Sequence, residues 1–184
     1  MTSGGTFLSA DWKGRIMGPR KLKRWAERAV ELGAKAARIV PASSVKTAEW
    51  VRMKCRYGCG GWNGCLTCPP HSPTPETTAR MLKDYRWAVL FERGRQAGRE
   101  LAAKLEREIF LDGHYKAFGM TSGPCHLCES CDFENGCRHP HEARPAMEAC
   151  GIDVFTTVRR NGFEIEVLTS ESQKGHFFGI VLIE

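Results

Sequence analysis

Two dense runs of cysteine constrain this chain more than any other feature of its sequence. The run in residues 125–140 has C-x2-C-x2-C spacing, a fourth cysteine after five further residues, and then a proline: Cys125, Cys128, Cys131, Cys137 and Pro140. The upstream run has C-x3-C-x5-C-x2-C spacing and precedes two prolines: Cys55, Cys59, Cys65 and Cys68. Eight thiols in two short stretches predict two loops that each wrap a metal centre.

The nine cysteines of this 184-residue chain are either disulfide-bonded or metal-bound. The sequence begins without a basic segment followed by an apolar run, and it has no stretch of about 18 apolar residues that would predict a membrane span. We therefore expect a cytoplasmic protein whose thiols stay reduced. This expectation favours metal ligation over disulfides.

The downstream run suits the corners of an iron–sulfur cubane. It resembles the bacterial ferredoxin run C-x2-C-x2-C-x3-C-P, which holds a [4Fe–4S] cluster, although its last gap is longer by two residues. Three cysteines so close together would crowd a single tetrahedral zinc ion. The alternative is a zinc site that one of the nearby histidines completes: His126, His139 or His141.

The upstream run also predicts a [4Fe–4S] or zinc site, but its spacing is less standard. It does not match the C-x3-C-x2-C pattern of radical enzymes that use S-adenosylmethionine. Four glycines in the run permit tight wrapping. Cys65 is either the fourth ligand or a bystander, and in the second case the missing ligand comes from elsewhere. The ninth cysteine, Cys150, is expected to be a buried apolar thiol, with a reactive role as the alternative.

Two arginines near the downstream run have two equally weighted interpretations. Arg138 and Arg144 offset the charge of a cluster, or they form ion pairs with Glu142 or Glu148. His71 also lies near the loops in sequence. The sequence contains no Ser/His/Asp grouping, phosphate-binding loop or dinucleotide fingerprint, so it indicates no reaction.

The rest of the chain predicts an α+β fold: one small domain with a three- to five-stranded sheet packed by helices. Residues 1–18 have no periodicity and are interpreted as a flexible lead-in to a single domain over 19–184. The periodicity and capping signals predict helices near 20–32, 74–85, 97–111 and 154–160, a helical turn at 145–149, and a helix or extended segment at 44–53. Strands are predicted near 37–41, 87–91, 115–120 and 177–183.

Three stretches resemble a family of small predicted metal-binding proteins of anaerobic bacteria and archaea, domain of unknown function 2284. They are KCRYGCGGWNGCLTCPPHSPTPE, LEREIFLDGHYKAFGMTSGPCHLCESC and CRHPHEARPAMEACGIDVF. The resemblance covers residues of about 20 to 184 and implies metal or iron–sulfur binding without an established reaction. In it the upstream motif rests on Cys55, Cys59 and Cys68, whereas Cys65 is less regular.

Together these patterns predict an iron–sulfur protein with two [4Fe–4S] clusters that transfers electrons to a redox protein partner or a cofactor-activation system. One alternative is an iron–sulfur enzyme with one open coordination position. The other is a zinc-binding interaction module that uses the basic helix near Arg24. The net charge of +6 is partly offset by the negative charge of bound clusters, so nucleic acid is an unlikely partner, and no membrane partner is expected. The sequence does not predict an oligomeric state.

Overall fold

The fold is built on one four-stranded antiparallel sheet. A computed structural model describes residues 20–94, 100–170 and 172–184. The strands are β1 (Ala34–Pro41), β2 (Trp87–Arg93), β3 (Phe118–Met120) and β4 (Phe178–Ile183), in the order β1-β2-β4-β3. The α+β prediction with three to five strands is confirmed. The predicted lead-in at 1–18 lies outside the described residues.

Among the described residues, five α-helices connect or cover these strands, and short 3-10 turns extend several of their ends. The helices are α1 (Lys23–Glu31), α2 (Glu49–Gly58), α3 (Pro75–Met81), α4 (Leu101–Leu111) and α5 (Val154–Arg160). The 3-10 turns are Arg20–Leu22, Ala42–Ser44, Leu82–Asp84 and Glu148–Cys150. The caps follow the sequence signals, because the side chains of Thr74 and Asp153 accept hydrogen bonds from backbone N–H groups in the first turns of α3 and α5.

The central strands β2 and β4 are buried on both faces. Along β2, Trp87, Val89 and Phe91 pack with α1 and α4 on one face, whereas Ala88 and Leu90 belong to the core on the other face. Successive side chains of a strand point to opposite faces of the sheet, so a strand that is covered on both faces needs apolar residues at every position. The continuous apolar run that predicted this strand is therefore confirmed.

The second face of the sheet is covered by a core that contains the ninth cysteine, Cys150. Its core includes Met147, Cys150 and Ile152, which are fully buried, together with side chains of α5. The predicted burial of Cys150 is confirmed. Gly151 turns the chain with φ of +75°, and a Cβ there would lie 2.4 Å from the ring of Pro75 at the start of α3. The 148–150 turn is thus pressed against the segment that follows the first cysteine loop.

Several predicted elements differ in detail from the structure. The third strand spans Phe118–Met120 rather than 115–120, and the helical turn predicted at 145–149 begins at Glu148. Val30 is 46% exposed, so it lies outside the buried face that Trp25, Ala26 and Ala29 form on α1. In α3, Thr78 is fully buried because its hydroxyl donates to the Cys150 carbonyl, whereas Ala79 is only partly buried.

Two further points concern helix bounds and membrane spans. The helix predicted over 97–111 is described from Leu101 onward, because residues 95–99 lie outside the described part of the chain. Residues 49–58 are helical, so the first cysteine, Cys55, lies on a helix rather than in the predicted loop. Within the three described ranges, no helix has the length and apolar character that crossing a membrane requires.

Candidate metal centres

The first cysteine group is assembled from the last turn of α2 and the loop that follows it. Cys55 lies on α2, and Cys59 immediately follows the helix. A Cβ built on Gly61 would lie 3.5 Å from the Cys59 sulfur and 3.6 Å from the Cys68 sulfur. These two sulfurs therefore approach the same glycine. The loop turns through the cis peptide bond between Pro69 and Pro70, directly after Cys68.

Cys68 lies within electrostatic reach of the other three thiols of this group. Burial, the hydrogen bond with Cys65 and the charges of Cys65, Cys59 and Cys55 together raise the pKa of the Cys68 thiol to about 12. Several adjacent thiols cannot all ionise without a compensating cation. Since metal ions bind thiolates, a metal bound here would supply the positive charge that lets such neighbouring thiols ionise together.

Cys65 is distinguished from its neighbours by its hydrogen bonds. Its sulfur lies 3.3 Å from the Thr67 hydroxyl. Burial acts to raise the Cys65 pKa, but hydrogen bonds from Thr67, from Cys68 and from the backbone N–H of Cys125 outweigh it, so the net shift is downward. Cys125 belongs to the second cysteine loop. The Cys65 sulfur is therefore a point of contact between the two loops.

The second cysteine group surrounds a single small pocket of about 20 Å³. All four of its predicted ligands line this pocket: Cys125, Cys128, Cys131 and Cys137. Burial raises the pKa of the Cys125 thiol against the effect of the Leu127 backbone N–H, and the nearby thiols of both loops raise it further. The sequence spacing thus corresponds to four thiols that are gathered in space.

The long gap between Cys131 and Cys137 is folded as a compact turn. The Asp132 carboxylate accepts hydrogen bonds from the backbone N–H groups of Glu134 and Asn135 at 3.2 and 2.9 Å. Gly136 then takes a positive φ of 91°, and its N–H donates to the Asp132 carbonyl at 3.0 Å. The turn explains how two more residues than in the ferredoxin run still bring the fourth cysteine to the same pocket.

The interpretation of Arg144 as a partner of Glu142 or Glu148 is wrong. Its guanidinium donates to both carboxylate oxygens of Glu106 on α4, at 2.5 and 2.6 Å. Glu106 also accepts the backbone N–H of Gly119 on β3 at 2.7 Å, so this ion pair ties the second loop to the sheet. Arg138 lines the second-loop pocket and donates to the Ser130 carbonyl at 2.6 Å.

Sequence reasoning missed Arg52, which is 8% exposed on α2. Its Nη1 donates to Ser72 Oγ at 3.2 Å and to the carbonyls of Pro73 and Ala149, both at 2.9 Å. Burial raises the pKa of Cys55, and the Arg52 charge opposes that effect. A buried cation beside thiolates can offset the negative charge of a metal–thiolate centre. The i, i+3 spacing of Arg52 and Cys55 would have indicated this contact once a helix was assigned there.

The histidines of the zinc alternative lie around the second loop. His139 lines the second-loop pocket, and His126 lines a neighbouring cavity. The side chain of His141 is exposed. His71 forms a hydrogen bond with Asn63 at 2.8 Å, and its ring contacts Phe133 with centroids 5.2 Å apart. The His71–Phe133 contact is a second link between the two loops.

The donor chemistry fits an iron–sulfur cluster or zinc better than magnesium or calcium, because thiolates are soft ligands. In the three described ranges, no group of three Cys, His, Asp or Glu side chains already has metal-holding geometry. The thiols are therefore gathered without being placed at coordination distances. All eight cysteine ligands of the sequence analysis stay predictions.

The family comparison agrees with this donor chemistry. Residues 38–183 match the family described as "Predicted metal-binding protein (DUF2284)". The chain belongs to this family. The matched residues include both cysteine groups, the 148–150 turn and the α5 helix that follows it. No curated protein and no solved structure matches the chain.

Proposed function

We propose that this member of the DUF2284 family is an iron–sulfur protein that carries one [4Fe–4S] cluster at each cysteine loop and transfers electrons. The observation that carries the proposal is the common pocket of Cys125, Cys128, Cys131 and Cys137. Four thiols without a fixed histidine or carboxylate partner are the usual ligand set of such a cluster. The cluster, when bound, supplies reversible one-electron chemistry.

Backbone amides support iron–sulfur binding at both loops. The N–H of Gly61 donates to the Cys59 sulfur, and the N–H of His139 donates to the Cys137 sulfur, each at 3.4 Å. Hydrogen bonds to ligand sulfurs stabilise added negative charge and so raise the reduction potential of a cluster. The chain's own contribution to redox chemistry is this set of N–H groups together with the Arg52 cation.

The contact between the loops supports electron movement through the protein. The Cys125 backbone N–H is close enough to the Cys65 sulfur to lower the pKa of that thiol, and the His71 and Phe133 ring centroids lie 5.2 Å apart. Two centres held by touching loops are closer together than two centres on separate domains. Electrons that enter at one loop would therefore have a short path to the other.

A surface on α2 supports a redox protein as the partner. Trp50, Met53 and Tyr57 are spaced i, i+3 and i+7, and they are 50%, 49% and 82% exposed. Lys54 and Arg56 are exposed on the same helix, so this apolar stripe has positive flanks. The chemistry suits a redox protein with an acidic surface around its own centre. Cys55 lies on the same helix, so docking there would bring the partner close to the first loop.

The first experiment is anaerobic reconstitution of the full chain with iron and sulfide. We expect brown protein with about eight irons and eight sulfides per chain, because each of the two clusters contains four of each. Cys131→Ser should lose about half of the iron. Cys150→Ala is the matched control, since the ninth cysteine lies in the core, and it should keep the full iron content. A colourless protein with stoichiometric zinc would rule out the proposal.

The partner surface has its own experiment. Reduced protein should pass electrons to an acidic ferredoxin at a rate that falls as the salt concentration rises, because screening weakens charge attraction. Trp50→Ser combined with Tyr57→Ser should slow this reaction without changing the iron content. Phe110→Ser on α4 is the control, since Phe110 is similarly exposed (51%) on a helix that packs on the other face of the sheet. Equal rates for all three proteins would exclude the α2 surface.

A cavity beside the second loop favours an iron–sulfur enzyme as the second candidate. Its volume is about 360 Å³, and Cys125, His126 and Arg144 contribute to its lining. Small-molecule sites commonly have this size. If a substrate binds there, small organic acids should change the electron paramagnetic resonance (EPR) spectrum of the reduced second cluster. An unchanged spectrum across such acids would favour electron transfer alone.

The zinc-binding interaction module is less well supported by the structure. Its proposed binding surface was the basic helix near Arg24. Arg24 pairs with Asp112, and Arg28 pairs with Glu108 and Glu31, so α4 and α1 itself neutralise much of that face. A basic face that is already paired has less charge to offer to nucleic acid.

A further inference from the structure

Glu148 is the unusual acidic residue of the described chain. It opens the 148–150 turn, and its Oε2 atom is buried with no hydrogen-bond partner in the part of the molecule that the structure describes. Burial raises the pKa of this carboxyl. A buried carboxylate oxygen without a donor is costly, and such groups in native proteins commonly bind an ion or have a catalytic role. The partner of Glu148 must therefore be sought among the groups around it.

The surroundings of Glu148 are thiols rather than cations. The Cys55 sulfur lies 3.9 Å from the Glu148 carbonyl, and the negative charge of the Glu148 carboxylate adds to burial in raising the pKa of both Cys55 and Cys150. Arg52 is nearby, but its hydrogen bonds reach Ser72, Pro73 and Ala149 rather than this carboxylate. Among the described groups, the Glu148 carboxylate thus has thiols of Cys55 and Cys150 within electrostatic reach and forms no ion pair.

The turn that carries Glu148 is fixed to the first loop from three directions. The Ala149 carbonyl accepts hydrogen bonds from Arg52 on α2 at 2.9 Å and from the Ser72 hydroxyl at 2.6 Å. The Cys150 carbonyl accepts the Thr78 hydroxyl on α3 at 2.7 Å. These bonds hold the turn in one place relative to Cys55. The backbone position of Glu148 is therefore fixed by the fold, and its Oε2 atom is buried.

We propose that the Glu148 carboxylate is the fourth protein ligand of the first metal centre. Its thiolate ligands are then Cys55, Cys59 and Cys68, which lie within electrostatic reach of one another. Cys65 instead belongs to the contact between the loops, because its sulfur lies near the Cys125 backbone N–H and 3.3 Å from the Thr67 hydroxyl of its own loop. This assignment rests on the proposed iron–sulfur function.

A carboxylate ligand would make the first centre different from the second in chemistry. A hard oxygen ligand binds iron less firmly than a soft thiolate does, so the iron bound to Glu148 is the exchangeable one. When a carboxylate is protonated it loses its charge and much of its ligand strength. The first centre would therefore be the one at which an iron can open to an external ligand.

The test compares four full-length variants after anaerobic reconstitution, by iron and sulfide analysis and by EPR. Glu148→Gln keeps the shape of the side chain but removes its charge, and it should lose the exchangeable iron, leaving about seven irons and a [3Fe–4S] signal in the oxidised protein. Glu148→Cys should restore about eight irons with a changed spectrum, because it supplies a thiolate. Cys65→Ser should keep about eight irons. The matched control is Glu142→Gln, which changes an exposed acid six residues upstream.

The outcomes separate this proposal from the iron–sulfur function itself. If Glu148→Gln keeps the iron content and spectrum of the wild type, or if Cys65→Ser loses the first cluster, Glu148 is not the fourth ligand even though the protein binds clusters. If the wild type takes up zinc and no iron, the iron–sulfur function fails. In that case the Glu148 assignment requires that Glu148→Gln weaken zinc binding by about tenfold or more, and unchanged zinc affinity overturns it.

Discussion

The two cysteine loops lie next to each other but are attached to the fold in different ways. The first starts on α2, ends near Ser72, and has two buried cysteines, Cys65 and Cys68. Arg52, Ser72 and Thr78 bond it to the 148–150 turn. The second loop has no helix or strand anywhere in the fully described stretch 121–147, and its four cysteines are partly or fully exposed.

This difference separates a loop that the protein core organises from one that we expect to depend on a bound metal. The second loop is connected to the rest of the fold by an isolated bridge between Thr121 and Ala146 and by the Arg144–Glu106 ion pair. Between the bridge and the ion pair, the second loop is held in shape by local turns such as the one at Asp132. A segment with few buried apolar side chains gains most of its stability from the metal that it binds.

The largest expected effect is that of metal removal on the second loop. Chelation under anaerobic conditions should reduce the hydrogen-exchange protection of amides at 125–140 by roughly a thousandfold, because the metal supplies most of the folding energy there. Amides at 52–58, on α2, should lose much less protection. Mass spectrometry of exchanged peptides measures both segments in one experiment. An equal loss of exchange protection at 125–140 and at 52–58 would contradict the inference that only the second loop depends on the metal for its order.

The next effect in size concerns the core of the first loop. Arg52→Met should lower the free energy of unfolding by about 2–4 kcal/mol, because it removes the Arg52 hydrogen bonds to Ser72, Pro73 and Ala149 and leaves the Pro73 carbonyl without this donor. Urea unfolding of the metal-loaded protein measures this loss. Arg56→Met is the control, since Arg56 is exposed one turn further along α2 and contacts only the Trp62 ring among the described groups. A similar loss in both variants would show that Arg52 has no special role.

Sequence patterns predicted the strands and the capped helices because these depend on local rules. The apolar run at 87–91 corresponds to a strand buried on both faces, and Asp153 caps α5 as its position before a helical segment indicated. The gathering of the second cysteine group also followed from spacing alone. These features need only short-range information.

Contacts between distant segments were beyond the sequence patterns. Arg144 was matched with neighbouring acids, but its partner Glu106 lies 38 residues away on α4. Arg52 reaches Ala149 across 97 residues, and nothing local marks it as buried. Glu148 was noted only as a possible ion-pair partner, because its isolation from cations depends on where Arg52 points. The side-chain contacts around the site join segments that are distant in sequence, whereas the spacing of its cysteines is a local feature of the sequence.

A smaller effect is expected from the tie between the second loop and α4. Arg144→Met should destabilise the loop by about 1–2 kcal/mol, because Glu106 would keep its bond to the Gly119 N–H but lose its partly buried cation. Exchange protection at 125–140 should fall while that on α2 stays unchanged. The double variant Arg144→Met with Glu106→Gln should recover part of the loss, since no unpaired charge is left. If α2 loses protection equally, the ion pair stabilises the whole domain rather than this loop.

The smallest effect is expected outside both loops, on the face covered by α1 and α4. The Arg28 guanidinium donates two hydrogen bonds to Glu108, at 2.7 and 2.8 Å, and holds the pKa of that carboxyl below its usual range. Because the folded-state pKa is lowered, the pair stabilises the fold above the unfolded pKa of about 4.3 and loses this contribution as the pH falls through the folded value. Glu108→Gln should thus be slightly less stable than the wild type at pH 7, and the gap should close on acidification. The pair is partly exposed, so this difference in stability is small and shrinks in salt.

Unfolding curves across pH measure the stability difference between Glu108→Gln and the wild type, and the iron content of both loops should not change. A gap that widens in acid would reverse the assigned direction, and a change in iron content would mean that the helical face and the cysteine loops are coupled.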